Sequence, residues 1–101
     1  MIKYIKFPIN AGGGAGGYTL QQANMICFVE LIANNDIKCW FNGGGTNYFR
    51  IQDGTGVNAF DATTISAINA ALVKAAEQSW TDTVVTVNWP TGVAVDSAQL
   101  A

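Results

Sequence analysis

The stretch IKCWFNGGGTNYFRIQDGTG, residues 37–56, predicts a β-hairpin at the centre of the fold. Two runs of β-branched and aromatic residues flank a glycine-rich turn, and a second turn at residues 53–56 closes the unit. Placing Asn42 opposite Asn47 sets the cross-strand register of the hairpin. The pairs in this register are Phe41 with Tyr48, Trp40 with Phe49, Cys39 with Arg50, and Lys38 with Ile51.

A third strand, predicted over residues 24–33, extends the hairpin to a meander with two largely apolar faces. Facing Ile32 with Ile37 puts Phe28 opposite Phe41 and Glu30 opposite Cys39. The first face then carries Cys27, Val29, Leu31, Trp40, Phe49 and Ile51, together with Lys38. The second face carries the candidate contact residues Phe28, Ile32, Phe41, Tyr48 and Arg50.

The segment FDATTISAINAALVKAAEQSW, residues 60–80, predicts an amphipathic helix. Asp61 is suited to cap its N-terminus, and Phe60 and Ile65 occupy the two positions of a hydrophobic staple. The predicted buried stripe consists of Ile65, Ile68, Leu72, Ala75 or Ala76, and Trp80. We expect this stripe to cover the Trp40, Phe49 and Ile51 face, which leaves the second face open.

Two further strands complete the prediction, one over residues 2–9 and one in DTVVTVNWP, residues 82–90. A Gly-rich connector, residues 11–17, is long enough to let the first strand lie beside the last one or join the sheet of a neighbouring subunit. Residues 91–101 are expected to form a C-terminal tail. The prediction is a single α+β domain over residues 1–101, with one mostly antiparallel sheet of four or five strands in the order β-β-β-β-α-β and one helix on one face.

Composition limits the partners of this chain. Hydrophobic residues make up 50% of the 101 residues and charged residues only 12%, so we expect part of the surface to be covered by another molecule. The net charge is −2 and the basic residues are scattered, which argues against nucleic acid. The sequence contains neither an apolar run long enough for a membrane span nor the pattern of a secretory signal, so we expect no membrane partner and synthesis in the cytoplasm.

The residue types present offer little catalytic or metal chemistry. The chain has no histidine, which removes Ser-His and Cys-His pairs and most zinc sites. Gly12, Gly14 and Gly17 match the spacing G-x-G-x-x-G, but the candidate acidic residue, Asp36, precedes the strand-like run IKCWF, whereas a dinucleotide site needs it after that strand. Cys27 and Cys39 are predicted to be buried on opposite faces without a disulfide. We therefore assign no catalytic, cofactor-binding or metal-binding residue, and an enzyme is the least favoured class.

In layout the chain resembles small virion structural proteins of tailed phages of marine and aquatic bacteria. The resemblance rests on the segments MIKYIKFPI, FVELI, YFRIQDG, ATTISAINAALVKAAEQSW and TVVTVNWP. It implies a non-enzymatic capsid cement or decoration protein, located in the virion, that contacts major capsid or tail proteins and copies of itself. A minor tail or neck component is an alternative. So is a small regulatory or ligand-binding module, with a pocket between the second sheet face and the glycine loop.

Overall fold

The computed structural model describes residues 3–41, 47–77 and 83–100, and it has an α+β fold with one helix. Within these ranges seven strands form two sheets. The strands are β1 (Tyr4–Pro8), β2 (Tyr18–Gln22), β3 (Ile26–Ala33), β4 (Asp36–Phe41), β5 (Tyr48–Gln52), β6 (Val84–Thr86) and β7 (Ser97–Leu100). The helix α1 spans Ala62–Glu77.

The prediction of one sheet with four or five strands is wrong, because the strands divide into two sheets. One has the order β2-β1-β6, and the other, fully antiparallel, has the order β3-β4-β5-β7. The two strands that sequence reasoning missed are β2, whose residues suit a helix, and β7, which lies in the predicted tail. Strand β2 is held by pairing with β1 across the glycine loop, and β7 is held by pairing with the distant β5; local propensity contains little of that information.

The hydrophobic core lies between the two sheets and is closed by the helix. The rings of Phe7 in β1 and Phe49 in β5 are 4.8 Å apart, centroid to centroid, and join the sheets. Helix α1 contacts β1, β3 and β6, so it does not lie across the predicted Trp40, Phe49 and Ile51 face. In this position the single helix covers one open side of the core between the two sheets.

The N-terminus of α1 is capped as the sequence predicts. Asp61 Oδ1 accepts hydrogen bonds from the backbone N–H groups of Thr63 at 2.9 Å and Thr64 at 3.4 Å. The buried stripe differs from the predicted one and consists of Thr64, Ile68, Ala71 and Ala75. Ile65 and Leu72 are only partly buried, because the helix is rotated so that its small side chains face the two sheets, and Trp80 lies outside the described residues.

Strand β1 pairs antiparallel with β2, its neighbour along the chain, and parallel with β6. It therefore lies beside the predicted strand of residues 82–90. The glycine loop does not free β1 from its neighbour in sequence, because β1 and β2 pair directly and hydrogen bonds of Ile9 with Gly16 and Gly17 close the loop. The loop itself packs against the C-terminal segment, since the N–H groups of Asn10 and Ala11 both donate to Val95 O. Gly12 has φ +73°, and a Cβ there would lie 2.9 Å from the Cβ of Asp96.

The segment predicted as a tail is part of the domain. Asn10 fixes it through its side-chain amide, which donates to Val93 O at 2.8 Å and accepts from Val95 N at 2.6 Å. Val95 is fully buried, and β7 then pairs antiparallel with β5. The C-terminal residues therefore dock on their own chain as the fourth strand of the larger sheet.

The register of the meander differs from the prediction by one residue. Trp40 pairs with Tyr48 and Cys39 with Phe49, and in β3 Phe28 pairs with Trp40. Because side chains alternate between the faces, this shift moves Trp40 and Phe41 each to the face opposite the predicted one. The observed register sends Lys38 and Arg50 outward together and buries the four residues Ile37, Cys39, Phe49 and Ile51, whose exposures are 0–1%. The predicted register would have mixed charged and apolar residues on both faces.

Candidate protein-interaction site

Three aromatic side chains lie in a row on the outer face of the larger sheet, away from the core. Phe28 on β3, Trp40 on β4 and Tyr48 on β5 are direct cross-strand neighbours. The rings of Phe28 and Trp40 are 6.2 Å apart and stacked, and those of Trp40 and Tyr48 are 5.0 Å apart and tilted. We call this surface the aromatic face.

Charged groups hold these rings in place. The ammonium group of Lys38 lies 4.4 Å from the ring centroid of Tyr48 and 5.4 Å from that of Trp40. The indole Nε1–H of Trp40 donates to Glu30 Oε1 at 2.9 Å. Cation–π contact and a charge-assisted hydrogen bond therefore hold the rings of Trp40 and Tyr48 before any partner binds, and Phe28 stacks on Trp40.

Arg50 stands on the same face and is bound to the fold. Its Nε and Nη2 atoms donate to the two carboxylate oxygens of Asp36 at 2.9 and 2.8 Å. These hydrogen bonds raise the pKa of Arg50, whereas burial alone would lower it. A bidentate pair of this kind fixes the guanidinium plane. Arg50 is thus a rigid positive group at the border of the aromatic face.

Three of the five predicted contact residues, Phe28, Tyr48 and Arg50, lie on the aromatic side of the sheet, and Ile32 lies in a register shift of β3. Phe28 is 55% exposed and Ile32 is 44% exposed, while Tyr48 and Arg50 are half-buried by their neighbours. The prediction for Phe41 is wrong, because the shifted register turns its ring toward the core. Sequence reasoning also placed Trp40 in the core. One feature of the sequence indicated the observed register: pairing Lys38 with Arg50 across the hairpin places both charged side chains on one face.

The cysteines differ in their surroundings. Cys39 is fully buried, and burial raises the pKa of its thiol to about 12. Cys27 is exposed, contrary to prediction, since the register shifts between Ile26 and Phe28 and turns it toward an open groove beside the helix. Both thiols are free, as predicted.

This groove has a volume of about 550 Å³. It is lined mainly by apolar groups of the segment before β3, the start of β3 and the second half of α1. Ala23, Ile26, Cys27, Leu72, Val73 and Ala76 are among its lining residues. The predicted pocket between the aromatic side of the sheet and the glycine loop is a different place, and the glycine loop packs on residues 95–96 instead.

The acidic groups beside turns have structural partners. Asp53 is buried, and its carboxylate accepts from the backbone N–H groups of Thr55 and Asn58, both at 2.8 Å. Burial alone would raise the pKa of Asp53, but these bonds and one from the Thr55 hydroxyl lower it below the ordinary value. Asp53 therefore serves the turn between β5 and the helix.

Two general features of the described chain bear on its chemistry. Within residues 3–41, 47–77 and 83–100, His, Cys, Asp and Glu side chains form no group of three or more that could hold a metal ion. In the same ranges no helix has the length and apolar character that crossing a membrane requires. No protein-family model, curated protein sequence or solved structure matches this chain.

Proposed function

We propose that this chain is a non-enzymatic virion structural protein, of the capsid cement or decoration type, that binds another protein through the aromatic face. The observation that carries the proposal is the row of Phe28, Trp40 and Tyr48 on an open sheet face. Aromatic residues and arginine are the types most enriched in the energetically dominant parts of protein interfaces.

The restricted conformations of these side chains support binding. Each ring already touches a neighbouring ring or Lys38, and Glu30 fixes the indole of Trp40. A surface whose rotamers are fixed in the free protein loses little side-chain entropy when a partner covers it. The aromatic face therefore offers a rigid docking platform at small entropic cost.

The assignment to a phage particle rests on the resemblance of the sequence segments to virion proteins. Only 12% of the residues are charged, and this low content fits a chain whose surface is largely covered by other proteins. A minor tail or neck protein would use the same surface, and the location of the chain in the particle distinguishes it from a cement protein.

A matched pair of substitutions tests the proposal. Tyr48→Asp removes a ring of the aromatic face that stacks with Lys38, and Tyr18→Asp makes the same change on β2, where Lys6 lies 4.3 Å from the ring. We expect quantitative mass spectrometry of particles purified from cells infected by the encoding phage to detect many copies of the wild-type chain. Tyr48→Asp should lower the copy number roughly 10-fold or more, and Tyr18→Asp should leave it unchanged.

Absence of the wild-type chain from purified particles would contradict the virion assignment. Equal incorporation of Tyr48→Asp and wild type would instead remove the aromatic face from the contact. Thermal unfolding of both variants provides the control, because a variant that folds normally cannot owe its absence to degradation of unfolded chains.

A small-ligand-binding module is a second candidate function, supported by the groove of about 550 Å³ beside Cys27. Its volume falls within the range of small-molecule sites, and its lining is largely apolar. An apolar small molecule retained by the purified protein in native mass spectrometry, and lost on Leu72→Gln substitution, would favour this function. A purified chain without adducts would count against it.

A further inference from the structure

Strand β3 is an edge strand of the larger sheet, since it pairs with β4 on one side and lies at the end of the order β3-β4-β5-β7. Edge strands present a row of backbone N–H and C=O groups that another strand can use. Proteins that stay monomeric protect such edges with short strands, charged residues, proline or β-bulges. Strand β3 has eight residues, Ile26–Ala33, and contains neither lysine nor proline. Its one charged residue is Glu30, and its two register shifts leave the stretch Phe28–Leu31 regularly paired.

Apolar side chains of β3 are exposed on both faces of the sheet. Phe28, paired with Trp40, points to the aromatic side at 55% exposure, and Leu31, paired with Ile37, points to the core side at 40%. Ile32 lies in the register shift that follows Leu31 and is 44% exposed. A partner lying flat on one face would cover only one of these sets. A strand that approaches from the edge covers both, because its own side chains alternate between the faces.

The other edges of the two sheets are less suited to this contact. Strand β6 has three residues, Val84–Thr86, and β7 has four, Ser97–Leu100. Strand β2, Tyr18–Gln22, is five residues long and has polar residues at three of its positions. Strand β3 is therefore the longest and most apolar edge in the described part of the chain.

We infer that β3 pairs antiparallel with β3 of a second copy of this chain, so that two four-stranded sheets join into one sheet of eight strands. A two-fold axis that relates antiparallel strands stands perpendicular to the sheet, and it keeps the aromatic faces of both copies on the same side. Self-pairing then places residues of equal parity opposite each other.

We place the axis at Glu30, inside the part of β3 that pairs regularly with β4, Phe28–Leu31. Register shifts bound this part between Ile26 and Phe28 and between Leu31 and Ala33. Pairing about Glu30 sets Phe28, on the aromatic side, opposite Ile32 of the partner subunit. It also sets Val29 opposite Leu31 of the partner subunit on the core side. Every exposed apolar group of the stretch thereby gains an apolar neighbour.

The position of Glu30 predicts whether a change of charge at the axis strengthens or weakens the pairing. Two Glu30 carboxylates face each other at the axis, and like charges directly opposite are unfavourable. Glu30→Gln removes this repulsion and keeps an oxygen for the indole of Trp40. Ile32→Glu adds a carboxylate beside the Glu30 pair, and Leu20→Glu is its matched control, because Leu20 on β2 has the same exposure of 44% as Ile32.

Sedimentation velocity over a range of protein concentrations measures the association. We expect the wild-type mass to rise from 10.7 kDa toward twice that value as concentration increases. Ile32→Glu should weaken dimerisation at least about 10-fold, Glu30→Gln should strengthen it several-fold, and Leu20→Glu should leave it unchanged. A monomer at every concentration, or equal effects of Ile32→Glu and Leu20→Glu, would overturn the inference.

Cross-linking tests the geometry directly and does not depend on how Ile32→Glu folds. In a Cys27→Ser background, Glu30→Cys places two thiols opposite each other at the axis, within the range of cross-strand Cβ distances of roughly 4.5–5.5 Å. We expect a disulfide-linked dimer after mild oxidation, and none with Leu20→Cys in the same background. A dimer that fails to cross-link at residue 30 would overturn the inference. Tyr48 lies two strands away from β3, so Tyr48→Asp tests the proposed function without changing this edge.

Discussion

Cys27 and Cys39 show how a single irregularity in a strand changes the chemistry of a residue. Cys39 is buried between the sheets with its pKa raised to about 12, so it holds its proton at neutral pH. Cys27 is exposed at a register shift of the edge strand. The thiolate is the reactive form of cysteine, and access to reagent is the second requirement.

Thiol labelling checks this difference. At about pH 8 we expect a disulfide reagent such as dithiobis-nitrobenzoate to modify one of the two thiols in the native protein and both in denaturant. In Cys27→Ser the native protein should not react. Fast modification of both thiols in folded protein would show that Cys39 is accessible.

Ionisation of Asp53 makes the stability of the turn before the helix depend on pH. Its pKa is lowered in the folded protein, because hydrogen bonds from Thr55 and Asn58 outweigh the effect of burial. A lowered folded pKa adds stability that is complete above the pKa of the unfolded chain, about 4, and is lost as pH falls through the folded value. The turn should therefore weaken in acid.

Urea unfolding of Asp53→Asn as a function of pH tests this contribution. We expect the variant to be less stable than wild type at pH 7, and the difference to shrink as pH falls below about 4. Thr55→Val, which removes the hydroxyl that donates to Asp53, should show part of the effect. A stability difference that is constant from pH 7 to pH 2 would refute the role of ionisation.

At the scale of elements, the hairpin was predictable and its register was not. The runs around residues 37–41 and 48–52 identify two strands without reference to the rest of the chain. A change of one residue in the length of the connecting loop changes the register of these two strands. The register that forms is selected by the contacts that each face of the sheet makes with the rest of the protein. Burial of Ile37 and Ile51 against the second sheet favours the observed register. That second sheet includes β2, whose sequence does not favour a strand.

The helix was predicted more accurately, for a local reason. Asp61 caps it through its own near neighbours Thr63 and Thr64, so this end of the element is specified within a few residues. Its rotation depends on the surface that it covers, and the surface turned out to be the junction of two sheets. The sequence predicts Phe28, Tyr48 and Phe41 on the open face, and the structure has Phe28 and Tyr48 there but turns Phe41 toward the core, because the face of a β4 residue depends on the register.

The glycine loop gives a prediction at this scale. Gly12 has φ +73°, and an added Cβ would meet Asp96, whereas Gly13 has open space around it. Gly12→Ala should therefore lower the free energy of unfolding by about 1–2 kcal/mol, since a side chain is disfavoured in the left-handed region. Gly13→Ala should be neutral or stabilising by up to about 1 kcal/mol, because it restricts the unfolded chain. Equal losses in both variants would contradict the structural role of Gly12.

For the whole molecule, the two-layer arrangement explains how a chain with few charges can bury a core and still leave an open face. The core draws on both sheets and the helix, so the core face of each sheet is covered from within the chain. Among residues 3–41, 47–77 and 83–100, none of the described elements covers the outer face of the larger sheet, where the aromatic face lies. A single sheet with one helix, as predicted from the sequence, would also leave one face open. It would have carried Phe41 there in place of Trp40.

The contact between Phe7 and Phe49 tests the two-layer core itself. Their rings join β1 to β5 at 4.8 Å, so Phe7→Leu and Phe49→Leu should be coupled by about 0.5–1.5 kcal/mol in a double-mutant cycle. Phe28 and Phe49 lie on opposite faces of one sheet, and Phe28→Leu with Phe49→Leu should be additive within about 0.5 kcal/mol. Chemical denaturation of the five variants and wild type measures both energies. Additive effects at Phe7 and Phe49 would mean that the two sheets do not share a core, because rings in contact cannot be replaced independently.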